Sequence, residues 1–170
     1  MRDDPPMQVF IDPDATPTTV HTPAVVPIHW REDVKEQLDK DVRLGVIEKV
    51  PPNSPVTWCH RAFWTAKTDG TPRRVVDLQA LNKHCGRDTH YVVPPFQQAR
   101  AIPPRTWRTV TDAWNGFHSV LVREEDRHYF TFIIEHGRYR YCIAPQGYQA
   151  SNDAYSHRYD WVIAEVSRKT

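Results

Sequence analysis

Cysteine is scarce in this sequence. Cys59, Cys85 and Cys142 are three scattered residues in a chain of 170, and an odd, irregular set argues against a disulfide framework and for reduced thiols. Long apolar runs are missing too: none approaches the roughly 18 residues that a membrane-spanning helix needs. No apolar segment follows Met1-Arg2-Asp3-Asp4-Pro5-Pro6, so no secretory leader is expected. The chain has no internal repeat and no large excess of one charge, its formal net charge being +1. These absences together predict an intracellular protein, in the cytoplasm or nucleus, with no membrane partner.

The apolar content that is present, 39% of residues with 11% aromatic, is enough for a packed core. The near-zero net charge hides an uneven distribution. Residues 1–60 carry a balance of −4, residues 61–108 one of +6 and residues 109–170 one of −1. A basic middle between acidic and neutral flanks predicts a local anionic partner; a solvated basic face is the alternative.

Residues 5–29 are rich in Pro and Thr and read as an extended arm, with Val9, Ile11, Val26 and other apolar residues able to pack on a domain. Arg31 to Leu44 reads as a helix. Glu32 and Asp33 suit its first turn, Val34, Leu38 and Val42 recur on one face, and Gly45 is a natural stop. A short strand over Val46–Val50 ends at Pro51-Pro52. Arg61–Lys67 and Arg73–Leu78 read as strands joined through an Asp69-Gly70 tip.

Residues 86–106 look like loop. Trp107–Asp112, Ser119–Val122, Tyr129–Ile134 and Arg138–Ile143 read as strands, the last two joined by Glu135-His136-Gly137. Ser151 suits the N-cap of a closing helix that carries Tyr155, Tyr159, Val162, Ile163 and Val166 on one face. Strands and helices without regular βαβ alternation predict an α+β fold. Trp58, Trp64, Trp107 and Trp114 read as core rather than as stacking platforms, with Trp64 open to either role.

Template-directed phosphoryl transfer needs carboxylates for two divalent metals, cations for a triphosphate and a bulky residue beside the sugar. Asp112 could serve the first need, although the segment alone reads rather as a turn-starting Asp. Lys67 and Arg73 flank the hairpin tip and could grip phosphates, or simply be solvated. Gln146 and Gly147, in Pro145-Gln146-Gly147-Tyr148, could approach a nucleotide or form a plain turn. Cys59-His60 and His84-Cys85 supply zinc-type ligands, at a spacing that matches no common finger.

Taken in order, these motifs resemble the reverse transcriptases of gypsy-type LTR retrotransposons. Leu44-Gly45-Val46-Ile47-Glu48 is similar to the fingers entry. Lys67-Thr68-Asp69-Gly70, Arg73-Arg74-Val75-Val76-Asp77-Leu78 and Leu81-Asn82 are similar to the fingers hairpin. Val110-Thr111-Asp112 with Gly116-Phe117-His118 resembles the palm motif of the first catalytic aspartate, and Gly137–Tyr141 with Pro145-Gln146-Gly147 resembles the next one.

The resemblance implies right-hand polymerase fingers plus an incomplete palm, with an arm over 1–29, fingers over 30–106 and partial palm over 107–170. It implies Asp112 as catalytic metal ligand, with the Ala113 carbonyl as a second contact for Mg2+ or Mn2+. Lys67, Arg73, Asn115, Gly116, Phe117 and Gln146 would bind the dNTP, Phe117 as the gate against a 2′-hydroxyl. Implied partners are an RNA or DNA template with its primer and the remaining C-terminal part of the polymerase.

The sequence departs from the pattern at Gln79, where the family carries Arg, and at Asn152-Asp153, where many relatives have Ala-Pro. No x-Asp-Asp motif follows residue 151, so the chain alone is expected to be inactive. A non-catalytic nucleic-acid-binding remnant is the alternative.

Overall fold

The computed structural model describes residues 5–87, 90–107 and 112–167, with the closing helix's side chains described as far as residue 160. Five strands form one mixed sheet: β1 (Ile47–Lys49), β2 (His60–Ala66), β3 (Pro72–Val76), β4 (Thr131–Ile134) and β5 (Gly137–Tyr141), in the order β1-β5-β4-β2-β3. The β2–β3 and β4–β5 hairpins are antiparallel, while β2 and β4 run parallel, with His60 opposite Phe132.

The local reasons follow from residue type. Along β2, His60, Ala62 and Trp64 point inward while Arg61, Phe63 and Thr65 point out, the period-two pattern of a strand with one buried face. Central β4 reads Thr-Phe-Ile-Ile, with Thr131, Phe132 and Ile134 all buried, so side chains on both faces of this strand are covered, as a near-continuous apolar run requires. The β2–β3 turn is closed by Lys67 N–H donating to the Thr71 carbonyl at 2.8 Å, with Gly70 at φ +80°. Asp69 Oδ1 accepts from the Thr71 amide and hydroxyl, and these bonds hold its carboxyl below the usual range.

Helix α1 (Arg31–Arg43) buries Val34 and Leu38 but leaves Val42 exposed, against the expected three-residue face. Each four-residue step advances about 40° beyond a full turn, so the third member rotates off the contact. The helix ends as expected: Gly45 sits at φ +69° and the Val46 amide reaches back to the Asp41 carbonyl at 2.9 Å.

The arm is docked. Met7 bridges Val122, Ile11 bridges Cys85 and Thr19 bridges Cys59. The Val9 amide donates to Asp126 Oδ2 at 2.9 Å and the Val26 amide to Glu135 Oε1 at 3.0 Å.

Several expectations need correction. The stretch 86–106 contains a helix, α3 (Pro95–Ala101), whose Pro95 occupies the first turn, where a missing N–H costs nothing. A short α2 (Gln79–Asn82) was not anticipated. In place of a strand over Ser119–Val122, a 3-10 turn spans Gly116–Ser119 and isolated bridges follow, Leu121 with Ile143 and Val122 with Met7. Tyr129 and Phe130 close a 3-10 stretch that begins at Glu124. The expected strand over Trp107–Asp112 falls mostly on residues 108–111, outside those described. Trp58 and Trp64 are core, but Trp107 and Trp114 are exposed.

The closing helix α4 (Ser151–Ser167) forms as expected. Its Ser151 hydroxyl, however, donates to the Pro145 carbonyl at 2.7 Å.

Candidate functional site

An open cleft of ≈ 1170 Å³ runs between α1, the β2–β3 hairpin and the turn that follows Asp112. Lys67, Arg73, Asn115, Gly116, Phe117 and Gln146 all line it, residues that are scattered over eighty positions of sequence. Asp112 and Ala113 are exposed immediately beside Trp114, which is in the lining.

Each side chain has an identifiable support. Lys67 and Arg73 stand on either side of the hairpin turn, Arg73 opposite Thr65 in the β2–β3 register. Arg73 Nη2 donates to Gln146 Oε1 at 2.8 Å, joining the hairpin to the Pro145–Tyr148 turn. That turn is held from beneath: Asn82 Nδ2 donates to the Gly147 carbonyl at 2.8 Å and Asn82 Oδ1 accepts the Gln149 amide at 3.1 Å. Gly147 adopts φ +92°, which a side chain would strain.

Across the cleft, Asn115 adopts the left-handed region at φ 51°, where Asn is among the better-tolerated residues. A Cβ on Gly116 would lie 2.8 Å from the Tyr155 ring, so only glycine fits without a shift. Phe117 meets the same ring edge-on, with centroids 5.7 Å apart. Burial, then the neighbouring Tyr159 and Asp112, push the Tyr155 hydroxyl's pKa upward.

The charges of the cleft divide by partner. Helix α1 contributes Asp33, Glu36, Lys40 and Asp41, and the hairpin Lys67, Asp69, Arg73 and Arg74. The Arg74 side chain is largely buried and pairs with Asp41 at 2.8 Å and the Tyr141 hydroxyl at 3.2 Å, with its guanidinium over the Phe132 and Tyr141 rings and its Nη1 left without a hydrogen-bond partner. By contrast, Lys67 and Arg73 make no ion pair with any described residue. Arg73, bonded to the neutral Gln146, and Lys67, whose charge also acts on Asp69, are placed to meet an anion in this concave site. His118 faces the same cleft, and burial lowers its pKa.

The zinc-type pairs do not converge. His60 Nε2 donates to the Tyr129 carbonyl at 2.9 Å, and His60 and His84 both pack on the Trp58 ring. Among the described residues no group of three or more metal-ligating side chains gathers anywhere.

Sequence reasoning missed Arg74 and Asn82 as organising residues. It also missed Asp153, which is buried and held by Arg87 through two bonds of 2.8 and 2.9 Å. Only the departure at Asn152-Asp153 signalled that this turn of α4 was unusual.

No protein-family model matches the chain. The Tf2-7 transposon polyprotein of Schizosaccharomyces pombe is 25% identical over 134 residues, which is 78% of this chain and 10% of the polyprotein. The Tf2-3 polyprotein of the same yeast matches to the same extent. Among solved structures, the prototype foamy virus protease-reverse transcriptase superposes with a TM-score of 0.77 at 18% identity, over 92% of this chain and 20% of that one. The foamy viral protease-reverse transcriptase solved with double-stranded DNA gives 0.71 at 15% identity, over 96% and 27%.

The chain has a reverse-transcriptase fold, and its relatives are retrotransposon polyproteins. This reverse-transcriptase-like domain spans about a tenth of the length of those relatives. No helix among its described residues is long and apolar enough to cross a membrane.

Proposed function

We propose that this domain supplies the nucleotide-binding fingers and the first palm elements of an RNA-directed DNA polymerase of gypsy type. The observation that carries the reading is the gathering of Lys67, Arg73, Asn115, Gly116, Phe117 and Gln146 in one cleft. In this reading residues 1–29 are a lead-in arm, 30–106 the fingers and 107–170 a partial palm. Lys67 and Arg73 grip the triphosphate of an incoming dNTP, Arg73 held ready by Gln146. The backbone near Asn115 and Gly116 lies alongside it, and the Phe117 ring limits space beside the sugar. The template strand and its primer occupy the open side, and the polymerase is completed by further residues of the palm.

The donors at the palm turn fit a hard divalent ion, Mg2+ or Mn2+, in part. The Asp112 carboxylate is exposed and makes no ion pair with a described residue, and the Ala113 carbonyl is a second oxygen of the kind such ions prefer. Two donors do not make a full shell, so the remaining oxygens belong to triphosphate, water and further carboxylates. When bound, the ion neutralises developing charge on the phosphates.

The test is binding of dATP with Mg2+ to the chain, followed by primer extension in an enzyme containing it. Lys67→Ala and Arg73→Ala are each expected to weaken dATP binding by roughly ten-fold or more, the loss of a charge-assisted bond. Asp112→Asn is expected to abolish extension with little effect on folding. Unchanged dATP binding in both cation variants would sink the reading. The pair Lys67 and Arg73 also suits a second reading, a nucleic-acid-binding module without catalysis. Salt-dependent duplex binding with no extension under any condition would favour it.

A further inference from the structure

Exposure of a tryptophan is not by itself informative, because a folded surface is more than half apolar. Trp107 is fully exposed and lies outside the cleft. Trp114 is 88% exposed as well, but it lines the cleft together with Lys67, Arg73 and Gln146. Its ring has no aromatic, cation or hydrogen-bond partner among the described residues.

The backbone beneath Trp114 explains why it stays out. The left-handed Asn115 turns the chain directly after it. Gly116 is seated against the Tyr155 ring so closely that not even a methyl fits between them, and Phe117 abuts the same ring. The turn therefore cannot sink toward α4 and bury the indole. What remains is a flat π surface that lines the same cleft as the cations Lys67 and Arg73. That combination suits a ligand that is anionic at one end and planar at the other.

We propose that Trp114 is a stacking surface for a nucleobase, held at the cleft by a turn that Tyr155 braces from below. The proposal rests on the nucleotide-binding reading above and adds a contact to the base. Base–indole stacking is worth enough to matter and is tolerant of sequence, since every base has a π face. It also differs from phosphate binding in one measurable way: removing the indole removes no charge, so it leaves the salt dependence of binding alone.

The experiment titrates the chain with a short oligodeoxyadenylate and, separately, with dATP and Mg2+, following tryptophan fluorescence and the anisotropy of a labelled oligonucleotide over a range of salt. Trp114→Ala is expected to weaken binding of at least one probe roughly ten-fold or more with an unchanged salt slope. Trp114→Phe should keep most of the affinity while losing the fluorescence quench, and Trp107→Ala should behave as wild type. Loss confined to the oligonucleotide assigns the stacked base to a strand, and loss for dATP assigns it to the incoming nucleotide. Wild-type affinity in Trp114→Ala, in a chain whose binding still depends on Lys67 and Arg73, overturns the stacking proposal and leaves the nucleotide reading standing. A lowered salt slope in Trp114→Ala also overturns it, since collapse of the turn then explains the weakening. If the wild-type chain binds neither probe, the underlying reading fails with it.

Discussion

The sheet and the stretch from Tyr91 to Phe117 are made of similar residues and end up opposite. Phe130, Phe132, Ile134, Tyr139 and Trp64 are buried in or beside the strands, while Tyr91, Val92, Phe96, Ile102, Trp107 and Trp114 are exposed. Side-chain hydrophobicity does not separate the two sets. What separates them is backbone pairing: a paired strand presents alternate residues to a common face, whereas α3 and the turns around it bury none of their side chains. The sheet is held by many contacts. Among the described residues, the other stretch is tied near its ends, by the Arg87–Asp153 and His90–Asp160 pairs before it and by Gly116 under Tyr155 at its close.

The comparison breaks first if the two aromatic sets respond alike to truncation. Phe132→Ala, at the centre of the sheet and fully buried, is expected to cost about 3–5 kcal/mol. Trp107→Ala should stay within about 0.5 kcal/mol of wild type. Urea denaturation of both variants measures this, and a large loss at Trp107 would mean that the stretch packs on something.

A smaller effect tests the far anchor. Gly116→Ala forces a methyl into the Tyr155 ring and is expected to cost about 1–3 kcal/mol. The double variant with Tyr155→Ala should recover part of that, so the two substitutions are not additive. Additive losses would show that the ring does not brace the turn.

The near anchor gives the smallest change and a pH signature. Hydrogen bonds from Arg87 hold the Asp153 carboxyl below the usual carboxylate range. A depressed folded pKa contributes stability above the unfolded value and loses it as pH falls. Asp153→Asn should therefore melt a few degrees below wild type at neutral pH. That gap should close as the pH drops below about 4. A gap that is constant with pH would mean that the pair contributes packing, not charge.

Much of this molecule was legible in its sequence where the signal is local. The Asp69-Gly70 tip, the Gly45 stop and the Glu135–Gly137 turn each depend on a few adjacent residues, and each formed as expected. The gathering of the cleft residues was legible only as a resemblance, since spacing along the chain says nothing of distance in space. Asp153 with Arg87, and Arg74 with Asp41, were not legible. In both pairs a charged residue is buried by a partner that lies remote in sequence. Val42 misled because a regular spacing was taken to extend one turn beyond the surface it packs on. Trp107 and Trp114 misled because residue type was taken for burial.

The docked arm bears on how the chain is made. Val9 meets its carboxylate partner 117 residues later, at Asp126, and Met7 meets Val122. A ribosome delivers the arm well before its partners, so the arm waits while most of the domain is synthesised. Contacts of such large sequence separation also form late in folding. Protection of the Val9 amide from solvent exchange would thus mark completion of the domain. A nascent chain stalled before Asp126 emerges should leave that amide open, even with the β2–β3 hairpin already formed.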